Sequence, residues 1–445
     1  MLKVFLWLRY LHKRKIVLLS ITAVALSAGM LIVVASLFTG FISAFEQSAV
    51  ELMGDVVVSA PVSFSNYREF IETLEDTGDV EAATPVLTGR GLLHLGAGNV
   101  RAVQIWGIEP QSRARVCGFA NSLLGGDGLP GPDSDDSGQQ AIGYVGIGLV
   151  TEPDPASDEY DFDAAREIIG KRVVLTTGAI KEVGGAVGPR AEVKRKTFAF
   201  TVADIVFTGV YGIDSGFLYL PIEQFQRQLY PDEDGERAQM IHIKLAGGCN
   251  EAAAVAQIRG LWVQFASEKL NWGQHLISFT DIETSRRMQS RYVLELRKQM
   301  GVLLLIFGVA SLSVIALVFC IFYMIVMTRQ RDVAIIRACG ATSSSVAGIF
   351  VGFGGFVGLI GAAAGVGLGY IVIKNINVVE QWIRIVFGLK LWKSSVYIFS
   401  RIPNEIDWGW AQVIGISAVA AAAVGALIPA LAAARCKPVD ILRYE

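Results

Sequence analysis

The chain has 445 residues, of which 52% are hydrophobic and only 18% are charged, and its formal net charge is −2. A soluble protein would carry roughly 25% charged residues, so the composition indicates membrane spans. The near-zero net charge argues against a nucleic-acid partner.

Four stretches of the sequence lack any charged residue. Each is longer than the ~20 residues that a helix needs to cross the hydrocarbon core of a bilayer. The first is too long for a signal peptide and lacks a small-residue cleavage site, so we expect it to be retained, behind an interfacial helix at 1–15. We predict transmembrane helices at residues 16–45, 299–328, 344–373 and 408–434.

Basic residues beside these stretches predict the orientation. With four spans, three basic clusters share one side, and the positive-inside rule places that side, with both termini, in the cytoplasm. The loop 374–407 also carries five lysines and arginines against three acids, but the charges beside the first span usually dominate. The clusters are Arg9, Lys13, Arg14 and Lys15; Arg329, Arg331 and Arg337; and Arg435, Lys437 and Arg443.

The segment 46–298 then lies outside and is large enough for one or two compact domains. "DVVVSAP" and "RAVQIWGIEP" predict strands, and "NYREFIETLEDTG" predicts a helix with Phe70, Ile71 and Leu74 on one face. "KRVVLTTG" and "FAFTVADIVFTGVY" predict two more strands joined by a Gly- and Lys-rich connection. The sequence thus predicts a membrane α-helical protein of four transmembrane helices, with a large α+β extracytoplasmic domain between helices 1 and 2.

Two acidic stretches and one charged run complete this segment. Residues 124–140 and 151–161 have the composition of solvated surface loops. The run "DIETSRRMQSRYVLELRKQM" at 281–300 contains no Pro or Gly, so we predict a helical stalk that continues into the second span. A continuous helix would transmit displacement where a flexible linker would not.

No motif for catalysis or nucleotide binding is present. The sequence lacks the GxxxxGK[ST] phosphate loop, HExxH and the GxSxG elbow, and its four histidines are scattered. In "GIDSG" at 212–216 a turn is favoured over a catalytic serine. We therefore predict no catalytic, cofactor or metal site in this chain. Cys117 and Cys249 are the only cysteines of the external segment, and whether they form a disulfide stays open.

Small residues follow one face of the third span. Gly361, Gly365 and Gly369 form a doubled GxxxG motif, which lets helices approach closely in lipid. The favoured interpretation is packing against neighbouring spans of the same chain. The alternative is a smooth face that slides against the second span or a partner subunit.

The stretch "RQRDVAIIRACGATSSS" lies between the second and third spans. It predicts a short amphipathic helix that ends at Gly340, followed by hydroxyl caps for the third span. Two interpretations stay open. The segment is either an interfacial helix whose arginines contact lipid phosphates, or a coupling helix that docks in a cytoplasmic ATPase.

The layout of one span, a large external domain and three further spans resembles permeases of the FtsX/MacB/LolC-LolE group of ABC transporters. The resemblance covers most of the chain. "LRYLHKRKIVLLSITAVALSAGMLIVVASLFTGF" is similar to the opening of the lipoprotein-releasing permeases, and "VQIWGIEP" and "GVYGIDSGFLYLPIEQFQRQL" are similar to segments of their external domain. The most specific match is the ending, where "YIFSRIPNEIDW" and "LIPALAAARCKPVDILRYE" resemble the Lol permeases.

The resemblance implies a transport subunit of the bacterial inner membrane without its own nucleotide site. Such permeases form homodimers or LolC/LolE-like pairs and bind cytoplasmic ABC ATPases, which hold ATP and magnesium. Closure of the ATPases pushes the coupling helix, and the stalk moves the external domains, which lift a lipoprotein from the outer leaflet and pass it to a periplasmic carrier. The implied coupling residues are Arg329, Arg331, Asp332, Ile335, Ile336, Arg337 and Gly340.

In this family an external hairpin hook receives the carrier. The corresponding stretch here is 176–198, and its basic residues suit an acidic carrier surface. An ordinary hairpin is at least as good an interpretation. The acidic stretches 124–140 and 151–161 resemble insertions relative to the family. The implied hook residues are Arg190, Lys194, Arg195 and Lys196.

Two other functions known in the family stay open, namely efflux of the MacB kind and transduction of ATPase motion to a cell-wall hydrolase, as in the FtsX branch. The large external segment and the Lol-like ending favour lipoprotein release. The predicted boundaries are 1–15 (cytoplasmic interfacial helix), 16–45, 46–298 (MacB-like periplasmic core), 299–328, 329–343 (coupling helix), 344–373, 374–407 (periplasmic loop), 408–434 and 435–445 (cytoplasmic tail), with an FtsX-like permease domain over 299–440.

Overall fold

The computed structural model describes residues 15–435, apart from several short gaps. Within that range it leaves out residues 97, 127–140, 155–157, 186–187, 232–235, 329, 339, 389, 391 and 394–401, and also the side chains of 15, 180–193, 291, 330–332 and 336. Nearly all of the predicted interfacial helix 1–15 and tail 435–445, and most of the acidic stretch 124–140, therefore lie outside the described residues.

The chain divides into two compact units, the first made of Met1–Ser43, Tyr292–Trp382 and Ile402–Glu445, and the second of Ala44–Arg291 and Ile383–Arg401. The helices are α1 (Lys15–Met53), α2 (Tyr67–Glu75), α3 (Pro110–Val116), α4 (Ile147–Val150), α5 (Phe162–Arg166), α6 (Tyr211–Asp214), α7 (Ile222–Leu229), α8 (Glu251–Glu268), α9 (Gln274–Ser278), α10 (Ser285–Met288), α11 (Ser290–Thr328), α12 (Gln330–Ala338), α13 (Ser343–Lys374), α14 (Ile376–Phe387) and α15 (Trp408–Arg435). The strands are β1 (Val56–Ser65), β2 (Val80–His94), β3 (Val100–Ile108), β4 (Ile142–Gly146), β5 (Arg172–Gly185), β6 (Gly188–Val206), β7 (Phe217–Pro221), β8 (Arg237–Leu245) and β9 (Asp281–Thr284).

Four helices, α1, α11, α13 and α15, are long and apolar enough to cross a membrane, with a mean hydropathy of 2.1 to 2.9 over an 18-residue window. The expectation of four apolar helices is thereby confirmed by length and composition. Helices α1 and α11 have 39 residues each, which corresponds to about 58 Å at 1.5 Å per residue. Both therefore exceed the ~30 Å hydrocarbon core and continue past the predicted spans 16–45 and 299–328.

A mixed sheet of nine described strands frames the second unit, in the order β3-β7-β4-β6-β5-β2-β8-β1-β9. The long strand β2 pairs with β3, β5 and β8. As a result β3, β7, β4, β6, β5 and β2 close into a ring, from which β8, β1 and β9 extend. Pairs β3–β7 and β4–β6 are parallel. The predicted α+β character is confirmed, and the main core includes Phe70, Phe200, Phe225 and Trp262.

Several predicted elements of this domain are confirmed. The two runs that ended in turn residues form β1 and β3, and the two strands joined by a Gly- and Lys-rich connection form β5 and β6. The predicted helix is α2, in which Phe70 and Leu74 are buried. It ends before Gly78, whose φ of +75° suits glycine.

The predicted helical stalk at 281–300 is wrong in its first part. Asp281–Thr284 is the edge strand β9, which pairs antiparallel with Val56–Ser59 of β1. Thr284 then caps α10 by accepting a hydrogen bond from Arg287 N at 3.2 Å, and the long helix begins only at Ser290. The open edge of β1 supplies backbone partners for a short alternating run with a buried Ile282, and this tertiary context outweighs local helix propensity.

Candidate functional site

The predicted coupling segment forms the short helix α12, which packs against the ends of three long helices. Val333 and Ala334 are buried, whereas Ile335 faces outwards and is 53% exposed. Val333 belongs to a hydrophobic cluster that contains residues from each of the three helices. The other members are Val326 of α11, Val346 and Phe350 of α13, and Ala430 and Ala433 of α15.

The helix α12 ends as predicted at a glycine. Gly340 has a φ of +96°, and its N donates to the Arg337 carbonyl oxygen at 3.0 Å, a left-handed ending for which glycine is favoured. The Arg337 side chain is half-buried. The whole of Arg329 and the side chains of Arg331, Asp332 and Ile336 lie outside the described residues.

A basic cavity of about 390 Å³ opens beside this helix. Arg337 and Arg435 line it, together with Ser343 and Ser344 at the beginning of α13. Thr342 caps α13 by accepting a backbone hydrogen bond at 3.2 Å, so the predicted hydroxyl cap is confirmed. The arginines and the positive end of the helix dipole make an acidic side chain or a phosphate the complementary group.

The glycine face of α13 lies against α1. A Cβ on Gly361 would lie 2.8 Å from Val24, and a Cβ on Gly365 would lie 2.8 Å from the Ala25 carbonyl oxygen. Gly369 lies on the same face, against α1 as well. The two backbones are therefore closer than larger residues allow. This arrangement corresponds to packing within the chain, with α1 as the neighbour and not the second long helix.

A second pair of glycines on α13 faces α15. A Cβ on Gly354 would lie 2.5 Å from the Ala426 Cβ, and a Cβ on Gly358 would lie 2.8 Å from the Ala422 Cβ. Small residues on both helices therefore permit a close approach here too. Helix α13 thus packs tightly on two neighbours at once.

Serine hydroxyls join α1 to two further elements. Ser27 Oγ lies 2.8 Å from Ser311 Oγ of α11, and Ser36 Oγ accepts a hydrogen bond from Asp407 N, just before α15, at 3.1 Å. In lipid, where apolar burial provides no extra drive, such hydrogen bonds and close contacts hold helices together. Helix α1 is therefore joined to α11, to α13 and to the start of α15.

In the domain, the chain enters and leaves through adjacent strands. Val56 at the start of β1 pairs with Thr284 at the end of β9. Ser285 Oγ donates to the Gly54 carbonyl oxygen at 2.6 Å, and Ser285 N donates to the Asp55 carbonyl oxygen at 2.9 Å. The segment that follows α1 and the segment that precedes α11 are thus hydrogen-bonded to each other within the domain.

A buried arginine fastens the end of α1 to the sheet. Arg113 is 1% exposed, and its Nη2 donates to the Leu52 carbonyl oxygen at 2.9 Å. The guanidinium carbon lies 5.0 Å from the ring centroid of Trp106, 5.7 Å from that of Phe119 and 5.6 Å from that of Tyr219. Both the aromatic faces and the last carbonyls of a helix attract a cation, so this pocket compensates the buried charge.

His242 completes the pocket without adding a charge. Its Nδ1 lies 3.5 Å from Arg113 Nη1. Burial, and to a smaller extent the Arg113 cation, holds the pKa of His242 well below its usual 6.5. The imidazole is therefore neutral at physiological pH and presents a lone pair to the guanidinium.

The "GIDSG" stretch forms most of the one-turn helix α6 and the turn that follows it, which agrees with the turn favoured from the sequence. Ser215 Oγ donates to the Tyr211 carbonyl oxygen at 2.6 Å, so the serine is engaged with its own turn. Asp214 is buried and accepts hydrogen bonds from Thr208 N and Oγ1 at 2.7 and 2.8 Å. Burial raises the pKa of Asp214 to about 6. Its other oxygen, Oδ2, has no hydrogen-bond partner among the described residues.

We expect Asp214→Asn to stabilise the domain at pH 8 and to flatten its pH dependence. The folded pKa of Asp214 lies above the ordinary value of 3.8, so the folded domain binds this proton more tightly than the unfolded chain. The wild type therefore gains stability as pH falls from 6 towards 4, by up to about 3 kcal/mol. Thermal unfolding of both proteins at pH 5 and pH 8 measures the difference, and equal responses to pH would contradict this expectation.

The predicted hook lies on a long hairpin. Strands β5 and β6 pair up to their tip at Gly185 and Gly188, whereas β5 pairs with β2 only at Val174–Thr177. Beyond that point the two strands continue as a ribbon, which confirms the predicted hairpin. Of the hook residues, Lys194 and Arg195 are exposed, Lys196 is half-buried, and the side chain of Arg190 lies outside the described residues.

The cysteines of the domain are unpaired, and no metal-binding group is found among the described residues. Cys117 and Cys249 are both free thiols, so they form no disulfide with each other. Among the described residues, no group of three or more His, Cys, Asp or Glu side chains is arranged to hold a metal ion.

Two family models match the chain. The MacB-like periplasmic core domain matches residues 17–261, which is more than half of the 445 residues. The FtsX-like permease C-terminal domain matches residues 304–438. The first match includes most of the second unit, and the second includes α12, α13 and α15.

Several individual proteins are similar to the chain. The chain is 28% identical to the lipoprotein-releasing system transmembrane protein LolC of Neisseria meningitidis serogroup B, over all of this chain and 99% of that protein. It is 31% identical to LolE of Haemophilus influenzae over 140 residues, 32% of this chain and 33% of that protein. The solved periplasmic region of MacB from Actinobacillus actinomycetemcomitans is 17% identical, covers 53% of this chain and 91% of its own, and has a TM-score of 0.33. With both domains matched, the chain belongs to the FtsX/MacB/LolC-LolE family of ABC transporter permeases.

Proposed function

We propose that this chain is the permease subunit of an ATP-driven ABC transporter that releases lipoproteins from the bacterial inner membrane. The observation that carries the proposal is α12, whose buried side contacts three long helices while Ile335 is exposed. Membership of the family supports the transporter class. The similarity to LolC over the whole chain supports lipoprotein release over efflux or hydrolase activation.

In this proposal the helices α1, α11, α13 and α15 cross the inner membrane, and both termini and α12 are cytoplasmic. The domain between α1 and α11, and the segment between α13 and α15, are then periplasmic. The basic cavity with Arg337 and Arg435 lies on the cytoplasmic side, in agreement with the positive-inside rule.

A partner ATPase hydrolyses ATP, and α12 receives the resulting push. Because Val333 packs in one cluster with residues of α11, α13 and α15, a force on α12 reaches the ends of all three helices together. Helix α1 moves with them through its glycine contacts with α13 and the pair Ser27–Ser311. Packed cores transmit such displacements because they deform little.

A second permease, either a copy of this chain or a paralogue, completes the transporter. Helix α11 offers a surface for it, since Val302, Leu305, Val309 and Leu312 follow one helical face and are each more than half exposed. Apolar residues at this spacing suit either lipid or another helix. Because permeases of this family work in pairs, we favour a helix of the second permease as the neighbour of α11.

The proposed substrate explains why a driving force is needed. Transfer of an acyl chain from the bilayer into water costs about 0.8 kcal/mol per CH₂, so a triacylated protein does not leave the membrane unaided.

We place the contact with a periplasmic carrier on the β5–β6 hairpin, where Lys194, Arg195 and Lys196 suit an acidic surface. Cross-linking from position 194 to a purified carrier tests this contact.

The coupling role is tested with Val333→Asp in proteoliposomes that contain the permeases, the partner ATPase and a triacylated lipoprotein. An unpaired carboxylate in the apolar cluster should detach α12, since burying an isolated charge is costly, and we expect release to fall by roughly tenfold or more. ATP hydrolysis should continue without release. The two rates are measured in the same vesicles.

Val333→Ile is the matched control, because it changes the same position without introducing a charge into the apolar cluster. We expect this variant to release lipoprotein at close to the wild-type rate. Normal release by Val333→Asp would refute the coupling role of α12. If the wild type hydrolysed ATP but released no lipoprotein at all, the result would instead favour a transducer of the FtsX kind.

A further inference from the structure

The helix α14 (Ile376–Phe387) presents its apolar side away from the protein. Val378, Trp382, Ile385 and Val386 recur at three- and four-residue spacing and so share one face. Their side chains are 63%, 62%, 73% and 52% exposed. A surface helix of a globular protein shows the opposite arrangement, with the apolar face towards the core and the polar face outside.

The inward side of α14 carries polar residues, together with Ile376 and Ile383, which are also half-buried. Asn377, Glu380 and Arg384 follow the same spacing on the opposite face, and all three are half-buried. The Asn377 side chain accepts a hydrogen bond from Ile402 N and donates one to the Ile402 carbonyl oxygen, both at 3.1 Å. Polar contacts therefore hold the helix in the orientation that exposes its apolar face.

Aromatic and basic side chains mark the level of the membrane surface at the start of this helix. Tyr370 of α13 stacks with Trp408 of α15, with ring centroids 6.4 Å apart, and Lys374 Nζ lies 5.7 Å from the Tyr370 ring centroid. Tyr and Trp are enriched where hydrocarbon meets headgroups, and lysines near helix ends extend to that level. Since α14 begins at Ile376, two residues after Lys374, it begins at this interface.

We propose that α14 lies in the lipid interface on the domain side of the membrane, with Val378, Trp382, Ile385 and Val386 embedded in the bilayer. Full burial of such a side chain is worth about 1.5–3 kcal/mol, so the exposed face is strongly drawn out of water. An interfacial helix places its apolar face about 5–10 Å into the boundary between headgroups and acyl chains. The occupant of this face is the phospholipid bilayer.

The connections of α14 favour lipid over a second copy of the chain. The helix follows α13 almost without interruption, and Asn377 ties its first turn to Ile402, six residues before α15 begins. The first turn of α14 is thus held between the ends of two long apolar helices. Exposed apolar side chains also lie at those two ends, namely Ile371 of α13 and Trp408 of α15, so the apolar face of α14 starts at the same boundary.

This membrane contact requires only that the long helices cross a bilayer. If the proposed function is also correct, the contact lies close to the substrate. The leaflet beside α14 would be the one that holds the acyl chains of the lipoprotein.

Spin labels on the full-length chain in phosphatidylethanolamine–phosphatidylglycerol nanodiscs test the contact. Labels are attached through Val378→Cys and Val386→Cys, in a background whose five native cysteines are replaced by alanine. We expect both labels to collide more often with oxygen than with the water-soluble complex Ni-EDDA, at a depth of about 5–10 Å. Gln381→Cys, an exposed position outside the apolar face, is the matched control and should show the reverse order.

Two results would overturn the proposal. Preferential collision with Ni-EDDA at positions 378 and 386 would mean that the face is in water. Protection from both reagents would mean that protein covers it, for example a second copy of the chain.

Tryptophan fluorescence gives a second measurement without cysteine chemistry. Doxyl-labelled lipids should quench the contribution of Trp382, obtained as the difference between the wild type and Trp382→Phe. The contribution of Trp106, a buried tryptophan of the domain, obtained in the same way with Trp106→Phe, should be unaffected. A Trp382 signal that doxyl lipids leave unchanged would contradict the membrane contact.

Discussion

Gly365→Leu is expected to destabilise the helix bundle by roughly 3 kcal/mol or more, at or above the upper end of overpacking costs. Even a Cβ at this position would lie 2.8 Å from the Ala25 carbonyl oxygen and 2.9 Å from the Ala28 Cβ. Backbone atoms of α1 are among the obstructing groups, and they cannot rotate away as a side chain can. Unfolding of the full-length chain by SDS in mixed micelles measures the loss, and transport should fall with it.

Gly367→Leu provides the control within the same helix. Apart from the neighbouring backbone of α13 itself, no described atom lies within 4 Å of a Cβ at Gly367, so we expect its effect to stay within about 0.5 kcal/mol. Both variants add the same side chain to the same apolar helix, which removes any general effect of hydrophobicity. Equal unfolding free energies for the two variants would refute the tight contact between α13 and α1.

Arg113→Ala is expected to lower the free energy of unfolding of the domain by about 3–5 kcal/mol. The substitution leaves the Leu52 carbonyl oxygen without its donor and opens a cavity between Trp106 and Tyr219. It also releases the end of α1 from the sheet. Hydrogen exchange in the full-length chain should therefore accelerate at Gly54, whose N donates to the Val50 carbonyl oxygen at the end of α1.

Arg115→Ala is the matched control, since Arg115 lies on the same short helix and is exposed. We expect a change within about 0.5 kcal/mol and no effect on exchange at Gly54. If Arg113→Ala changed the free energy of unfolding and the exchange at Gly54 no more than Arg115→Ala does, Arg113 would not be the residue that holds the end of α1 against the sheet.

The bundle was largely predictable because lipid imposes simple rules. A spanning segment must be long and uncharged, so the four helices are visible in composition alone. The glycines of α13 predicted a close contact, but not its partner. A small-residue face accepts any helix that offers a matching surface, and the choice of α1 at Val24 and Ala25 is made by the bundle as a whole.

The domain was less predictable where distant residues determine the structure. Arg113 looks like its neighbour Arg115 in the sequence, yet its partners Leu52 and His242 lie 61 and 129 positions away. The predicted stalk failed for the same reason, because the strand at Asp281–Thr284 exists only through its pairing with β1. The one available signal was the alternation around Ile282, which is too short to outweigh helix propensity.

The pairing of Val56 with Thr284 brings the beginning and the end of the inserted sheet segment next to each other. Paired strands lie roughly 5 Å apart, so everything between these two residues could be replaced by a different module, or by a short bridge, with little change in the distance between the two chain ends that lead to the membrane. The size of this segment can therefore change in evolution independently of the long apolar helices.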